Sequence, residues 1–314
     1  MNVSRINFVA SVALTAAFSV APGFALNLRS WVSHTGSDVN PCTVAAPCLT
    51  FQHAHDSTVS GGEVDALTPG DYGVLKIDRP ITIDGGNLAY ITVLGYQKGI
   101  DVEPTAAGAT VVIRNLSINS YLAASVTTAG VGTPTNVGIY WGNGQILHIE
   151  DVAVNGTTQG IQAQLATTVS NPRIYMKAIT VRNCPLHGVN LFSGTADSAS
   201  IWAGIERAVI EGNYSGLYLY NSRVSVSRSN LTGNVNAGIF ADHNSEINVE
   251  DTNIAFSICG INANFGTTVR MAANNIHDNT YGMLTTSATI LSFGNNRVAG
   301  NALSETTSGA VALK

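Results

Sequence analysis

The chain has 314 residues, and its 15 Lys and Arg against 20 Asp and Glu give a formal net charge of −5, with only 11% charged residues. Because the balance is acidic and the basic residues form no cluster, we expect no nucleic-acid partner. The 31 glycines argue against a mainly helical protein.

The N-terminal 25 residues have the features of a secretory signal peptide. Arg5 provides a basic start, residues 6–21 form an apolar run, and residues 23–25 read GFA, which suits cleavage after a small residue. The run is short for a membrane span, and no stop-transfer residues follow it. We therefore predict a signal peptide over residues 1–25, no membrane span after its removal, and a secreted or periplasmic protein.

Residues 26–60 are predicted to form an N-terminal cap. Cys42 and Cys48 lie in the short segment NPCTVAAPC of an exported chain, which predicts a disulfide between them. An amphipathic helix is predicted from about Phe51 to Val59, with Thr50 as its N-cap.

The next segment, residues 61–305, repeats a glycine followed by an apolar residue, and the last four of these pairs are spaced by 22 residues. The pairs begin at Gly99, Gly138, Gly160, Gly188, Gly216, Gly238, Gly260 and Gly282. Each unit continues with two further short runs that alternate apolar and polar residues. Three strands of period 2 in so short a unit cannot form a helical repeat.

Stacked units of this kind predict an all-β fold, a right-handed parallel β-helix with neighbouring coils about 4.8 Å apart. The glycine is expected to mark a tight turn into the first strand. A leucine-rich repeat would need a Leu/Asn consensus that is missing here, and a propeller would need longer units. The predicted cap helix would cover the open end of this solenoid, and residues 306–314 would form a C-terminal tail.

The repeat and the opening segments SWVSHTGSDVNPCTVAAPCLTFQHA, GGEVDALTPGDYG and ITIDGG resemble the pectate-lyase-like superfamily of right-handed parallel β-helices. The resemblance extends to secreted bacterial β-helix proteins, many of which have no assigned activity. It implies the β-helix fold over about residues 30–305 and a role in binding or processing a polysaccharide. The motifs of the family's lyases, hydrolases and epimerases are not found in this sequence.

The first strand of each unit predicts an outward face rich in aromatic rings and amides. Because side chains alternate along a strand, the second and fourth residues after each glycine point outward. Rings can stack on sugar C–H faces, and amides can bond sugar hydroxyls, although stacked Tyr, Phe and Asn also make good structural ladders. The predicted substrate-binding residues are Tyr140, Gln162, Gln164, Asn190, Phe192, Tyr218, Tyr220, Phe240, Asn262 and Asn264.

Several residues are candidates for catalysis. Asp101 and Glu103 are two apart on one strand, about 6.6 Å along it, and could act as an acid–base pair or bind Ca²⁺. Asp242 and His243 follow another outward strand and pair a carboxylate with an imidazole. Lys177 or Arg223, each on a second strand, is the nearest candidate for the base of a lyase.

The sequence leaves the activity open among a polysaccharide lyase, a glycoside hydrolase, a non-catalytic adhesin that binds a surface glycan, and a structural module. We expect a monomer. Cys184 and Cys259 are predicted to lie on the same turn three coils apart, about 14 Å along the axis, and so to remain free thiols.

Overall fold

The computed structural model describes residues 26–120, 136–165, 169–194, 200–304 and 307–310. The predicted signal peptide and parts of the insertions next to the first-strand face lie outside the described residues. Within the ranges described, no helix is long and apolar enough to cross a membrane.

Short strands make up most of the described chain. The elements of the N-terminal half are β1 (Asn27–Val32), α1 (Phe51–Asp56), β2 (Thr58–Ala66), β3 (Gly70–Asp71), β4 (Leu75–Ile77), β5 (Ile81–Val93), β6 (Lys98–Val102), β7 (Thr110–Ser120), β8 (Val137–Trp141), β9 (Ile146–Asn155), β10 (Gln159–Ala163), β11 (Arg173–Lys177) and β12 (Thr180–Arg182). Those of the C-terminal half are β13 (His187–Phe192), β14 (Ile201–Glu206), β15 (Val209–Glu211), β16 (Ser215–Tyr220), β17 (Ser222–Ser227), β18 (Asn230–Thr232), β19 (Ala237–Asp242), β20 (Glu246–Glu250), β21 (Asn253–Ala255), β22 (Cys259–Asn264), β23 (Thr268–Ala272), β24 (Asn275–His277), β25 (Tyr281–Thr286), β26 (Thr289–Ser292), β27 (Arg297–Val298) and β28 (Gly309–Ala310).

These strands form two parallel sheets that wrap around one core. The nine-stranded sheet contains β4, β6, β8, β10, β13, β16, β19, β22 and β25. The nineteen-stranded sheet contains the second and third strands of each coil, and β11, for example, lies between β9 and β14 with parallel pairing to both. Each strand thus pairs with its copies in the coils before and after it, which is the predicted parallel β-helix.

Stacked aliphatic residues fill the interior. Ile161, Val189, Leu217, Ile239 and Ile261 are register partners on successive strands of the nine-stranded sheet, and all are fully buried. Each such side chain contributes about 1.5–3 kcal/mol relative to an exposed one, so the repeat supplies its own core at every coil.

The repeated glycine has a different cause from the one we predicted. A Cβ on Gly216 would lie 2.6 Å from the carbonyl oxygen of Gly238 and 2.9 Å from Nδ2 of Asn234. The same close approach to a carbonyl of the next coil occurs at Gly99, Gly138, Gly160, Gly188, Gly238, Gly260 and Gly282. None of these glycines has a positive φ. The prediction of a tight turn is therefore wrong, and glycine is needed because backbones pack against each other.

The N-terminal region confirms the disulfide between Cys42 and Cys48. The helix ends at Asp56, earlier than predicted, because Thr58–Ala66 forms a strand. Thr50 is the N-cap as predicted, since its side chain accepts a hydrogen bond from the backbone N–H of His53. β1 pairs in parallel with β2, so the ladder extends into residues 26–60. The covering role of the helix and the division into segments stay predictions.

Cys184 and Cys259 are both buried and free, as predicted, but they do not occupy equivalent positions. Cys184 lies in the turn before β13, where its backbone N–H donates to Oδ1 of Asn213. Cys259 lies inside β22 and pairs with Ala237. The predicted common turn is therefore wrong.

Candidate functional site

The first outward column of the nine-stranded sheet has the predicted register. Each neighbouring pair in this column is matched across adjacent coils. In order along the axis the column is Asp101, Tyr140, Gln162, Asn190, Tyr218, Phe240, Asn262 and Leu284. Phe192 pairs with Tyr220, and Tyr220 with Asp242, in the second outward column. The surface therefore has the composition that the sequence predicted.

The aromatic rings of this surface stack on one another along the axis. In the first stack, Tyr218 lies between His187 at 4.4 Å and Phe240 at 5.3 Å, with interplanar angles of 22° and 5°. Rings stacked in this way cover each other's faces and direct their edges and polar tips outward.

A second stack runs beside the first. Tyr220 lies between Phe192, at a centroid distance of 4.7 Å, and His243, at 4.2 Å. His243 in turn contacts the Phe265 ring at 5.6 Å. The expectation that sugars stack on these rings needs revision, since most ring faces are already occupied.

Amide side chains extend the surface toward the N-terminus. Nε2 of Gln159 donates to Oε1 of Gln162, and Nε2 of Gln162 donates to Oε1 of Gln164, each at 3.1 Å. Asn190 donates from Nδ2 to Oε1 of Gln159 at 2.6 Å. Oδ1 of Asn190 and Nδ1 of His187 are both buried, and neither has a hydrogen-bond partner among the described residues.

Gln159 and His187 belong to this surface, and sequence reasoning missed them. They are register partners that immediately precede the glycines of their coils. A Cβ on Gly160 would point at the core residues Val181 and Cys184, so Gly160 and Ile161 both face inward. This break in the alternation brings the side chains of Gln159 and His187 to the outward column, where Gln159 bonds Gln162 and Asn190 and His187 stacks on Tyr218.

The environment of His187 disfavours its charged form. Burial of the ring lowers the pKa of His187 from 6.5 to about 4. The imidazole is therefore neutral at neutral pH and offers one donor and one acceptor nitrogen.

The predicted acidic pair is held by lysines. Nζ of Lys98 lies 2.8 Å from Oδ1 of Asp101 and 3.6 Å from Oε1 of Glu103, while Lys76 lies 3.1 Å from the other Glu103 oxygen. Lys98 also lies over the Tyr140 ring, 3.5 Å from its centroid. Burial opposes ionisation of Glu103, but its bonds and attraction to Lys76 and Lys98 outweigh burial and hold the pKa of this carboxyl below its usual range.

Of the other candidate catalytic residues, Asp242 and His243 contact each other at 3.0 Å beside the second ring stack. Lys177 lies on the nineteen-stranded sheet, in register between Glu150 and Glu206. It is therefore separated from the predicted substrate face.

One carboxylate cluster could hold a cation, and it lies away from this surface. Glu63, Asp65 and Asp84 place one oxygen each within 4.8 Å of the others. Arg29 pairs with Asp65, and Arg114 pairs with both Glu63 and Asp84 at 2.8 Å. Two guanidinium groups thus already pair with these three carboxylates, and Ca²⁺ binding by the protein stays a prediction.

No protein-family model and no curated protein matches this chain. Among solved structures it is similar to the mannuronan C-5 epimerase AlgE6 A-module of Azotobacter vinelandii, with 16% identity over 81% of this chain and 88% of that one and a TM-score of 0.45. It is also similar to pectate lyase Pel9A, with 11% identity over 93% and 80% of the two chains and a TM-score of 0.48. A GH136 lacto-N-biosidase from Eubacterium ramulus has 12% identity over 91% and 67%, and a TM-score of 0.46.

Proposed function

We propose that this is an exported protein that binds a glycan along the outer face of the nine-stranded sheet and does not cleave it. The observation that carries the proposal is the continuous row of hydroxyl, amide and imidazole groups on neighbouring coils. Asn190 and His187 each contribute a buried polar atom without a partner among the described residues. A buried polar atom of this kind costs free energy unless a ligand or water bonds it.

The geometry favours recognition by hydrogen bonds over stacking. Neighbouring rings cover the ring faces of Tyr218 and Tyr220. Their hydroxyl groups are therefore the parts that would contact a ligand. Gln162 and Gln164 present amides two coils before these tyrosines. A polymer with hydroxyl groups at regular intervals suits a surface whose polar groups recur at every coil.

Binding is favoured over hydrolysis by the state of the acidic pair. A hydrolase that acts near neutral pH needs one protonated carboxyl group beside one ionised group. Glu103 has a lowered pKa, and Lys98 contacts both Glu103 and Asp101. These contacts favour an ionised Glu103 in ion pairs, which suit a binding surface.

A structural module is the second candidate, and the mutual stacking of the rings favours it. Cross-strand aromatic pairs stabilise a sheet whether or not a ligand is present. A glycan-binding protein would bind a soluble polysaccharide, whereas a structural module would not.

The test is migration of the protein through native gels that contain neutral or acidic polysaccharides, with reducing ends and unsaturated products measured in parallel. We expect retardation by at least one polymer without new ends or double bonds. The double variant Tyr218→Ala/Tyr220→Ala should be retarded less than wild type. Tyr90→Ala is the matched control, because Tyr90 is exposed on the other sheet and should behave as wild type.

Retardation of the folded double variant equal to wild type would show that this face is not the site. Cleavage of any polymer would contradict the non-catalytic proposal. No retardation by any polymer would favour the structural module.

A further inference from the structure

The outer face of the nineteen-stranded sheet contains a gap in its row of side chains. His148, Tyr175, Gly204 and Ser225 are successive register partners on β9, β11, β14 and β17. His148 stacks on one face of the Tyr175 ring at 5.0 Å. The opposite neighbour is Gly204, which has no side chain, and a Cβ built there would lie 3.4 Å from Cδ1 of Tyr175. One face of Tyr175 is therefore left open.

Trp202 lies next to this gap and is also exposed. It is paired with Arg173 and Arg223, and the Arg223 guanidinium lies 5.5 Å from its ring centroid. The exposed fractions of Tyr175 and Trp202 are 42% and 43%, large values for aromatic residues in the middle of a sheet. Two adjoining cavities of about 420 and 440 Å³ share Tyr175, Gly204 and Ser225 as lining residues.

The gap has the width of a flat ring. Tyr175 and Ser225 are two strands apart, which is about 9.6 Å at the usual strand spacing. Contact distances between carbon atoms are about 3.5–4.0 Å, so one six-membered ring fits between the Tyr175 face and the Ser225 side. Gly204 provides the floor of this slot.

The residues that line the slot include equal numbers of basic and acidic groups. Its lining contains three basic and three acidic residues, Arg173, Lys177, Arg223, Glu150, Glu206 and Glu246. Arg223 pairs with Glu246 at 3.6 Å, and Lys177 lies in register between the other two carboxylates. A lining with zero net charge suits a neutral occupant better than an ionic one.

We propose that this slot binds one sugar ring of a neutral glycan, with the C–H face of the sugar on Tyr175 and its edge beside Trp202. A pyranose has an apolar face and a hydroxyl-bearing rim, which match an open aromatic face surrounded by serine hydroxyls and ion pairs. The site is on a different sheet from the surface described above, and neither site requires the other.

Quenching of tryptophan fluorescence by acrylamide tests this assignment, with cellohexaose and laminarihexaose as neutral probes and hexagalacturonate as an acidic one. The chain has three tryptophans, of which Trp141 is fully buried and Trp202 is 43% exposed. We expect a neutral hexamer to reduce quenching, and the effect should disappear in Trp202→Phe.

Gly204→Val is the decisive variant, because it fills the slot and leaves Tyr175 and Trp202 in place. We expect at least a tenfold loss of affinity for the neutral hexamer. Arg270→Val is the matched control: Arg270 is two strands beyond Ser225 in the same column and should keep wild-type affinity. Because the readout follows Trp202, it reports the slot and not the nine-stranded sheet, so failure of either proposed site can be recognised separately.

Three results would overturn the proposal. The first is that only the acidic hexamer, or none of the three hexamers, protects Trp202 from quenching by acrylamide. The second is unchanged affinity in a folded Gly204→Val variant. The third is self-association of the wild type in sedimentation that Gly204→Val abolishes, which would assign the slot to a second copy of this chain.

Discussion

The rings of Tyr218 and Phe240 lie parallel within 5°, with their centroids 5.3 Å apart. Each ring covers a face of the other, and the His187 ring covers the remaining face of Tyr218. Burial also raises the pKa of the Tyr218 hydroxyl, which therefore stays protonated and can donate a hydrogen bond. Recognition at this position depends on that hydroxyl group.

Tyr218→Phe should therefore weaken glycan binding while it preserves the ring stack. Loss of one hydrogen bond of about 0.5–1.5 kcal/mol corresponds to a decrease in affinity of roughly two- to twelvefold. Isothermal titration with the polymer that retards the protein would measure it, and urea denaturation should show stability close to wild type. Unchanged affinity would mean that the hydroxyl group does not face the ligand.

Gly216→Ala should destabilise the fold strongly. The new methyl group would lie 2.6 Å from the Gly238 carbonyl oxygen, which is backbone and cannot move without shifting a coil. We expect a loss of about 2–4 kcal/mol in the free energy of unfolding, the size of other overpacking or strain effects. Urea denaturation measures it, and a loss below about 0.5 kcal/mol would contradict the backbone-contact explanation.

Gly204→Ala should have the opposite effect. Its nearest neighbour would be the Tyr175 ring at 3.4 Å, an ordinary contact, and its φ is not positive. Replacing a strand glycine with alanine should stabilise the protein by about 0.5–1 kcal/mol. A destabilised Gly204→Ala would show that the strand needs glycine for its backbone, and that the gap is not available space.

His187 should make the protein less stable in acid. Its pKa is about 4 in the folded state and near 6.5 when unfolded, so below pH 6.5 the unfolded chain binds a proton that the folded chain does not. The free energy of unfolding therefore keeps the full contribution of His187 above pH 6.5. It decreases as the pH falls toward 4, by at most about 1.4 kcal/mol per pH unit. His187→Gln should show a shallower decrease between pH 6.5 and 4.5 in urea denaturation. An unchanged slope would mean that His187 is solvated.

The buried thiols should not react while the protein is folded. Burial raises the pKa of Cys184 and of Cys259 to about 12, so almost no thiolate is present at pH 8. A chromogenic disulfide reagent should detect both thiols only after denaturation. Rapid labelling in the native state would contradict their placement in the core.

Much of the fold could be predicted because the repeat is explicit in the sequence. The interval from one glycine to the next placed Gln162, Asn190 and Tyr218 in one outward column, and the strand pairs agree. The alternation rule could not predict that Gly160 and Ile161 both face inward, so Gln159 was missed. The contact that requires glycine is made by the backbone of the next coil and leaves no mark in local sequence.

Long-range contacts account for the other differences. Lys76 comes from the preceding coil to bind Glu103, and no spacing in the sequence indicates that contact. The open face of Tyr175 depends on Gly204 in the following coil. A gap of this kind can be found only after the register of both strands is known.

Hydroxyl-radical footprinting in the presence of a bound polysaccharide tests the central claim most directly. The account predicts that oxidation of Tyr218, Tyr220 and His243 on the nine-stranded sheet decreases at least threefold, while the exposed Tyr90 and Tyr96 are oxidised as in the free protein. If the polymer binds and these three residues are oxidised at an unchanged rate, the glycan-binding face has been assigned to the wrong surface.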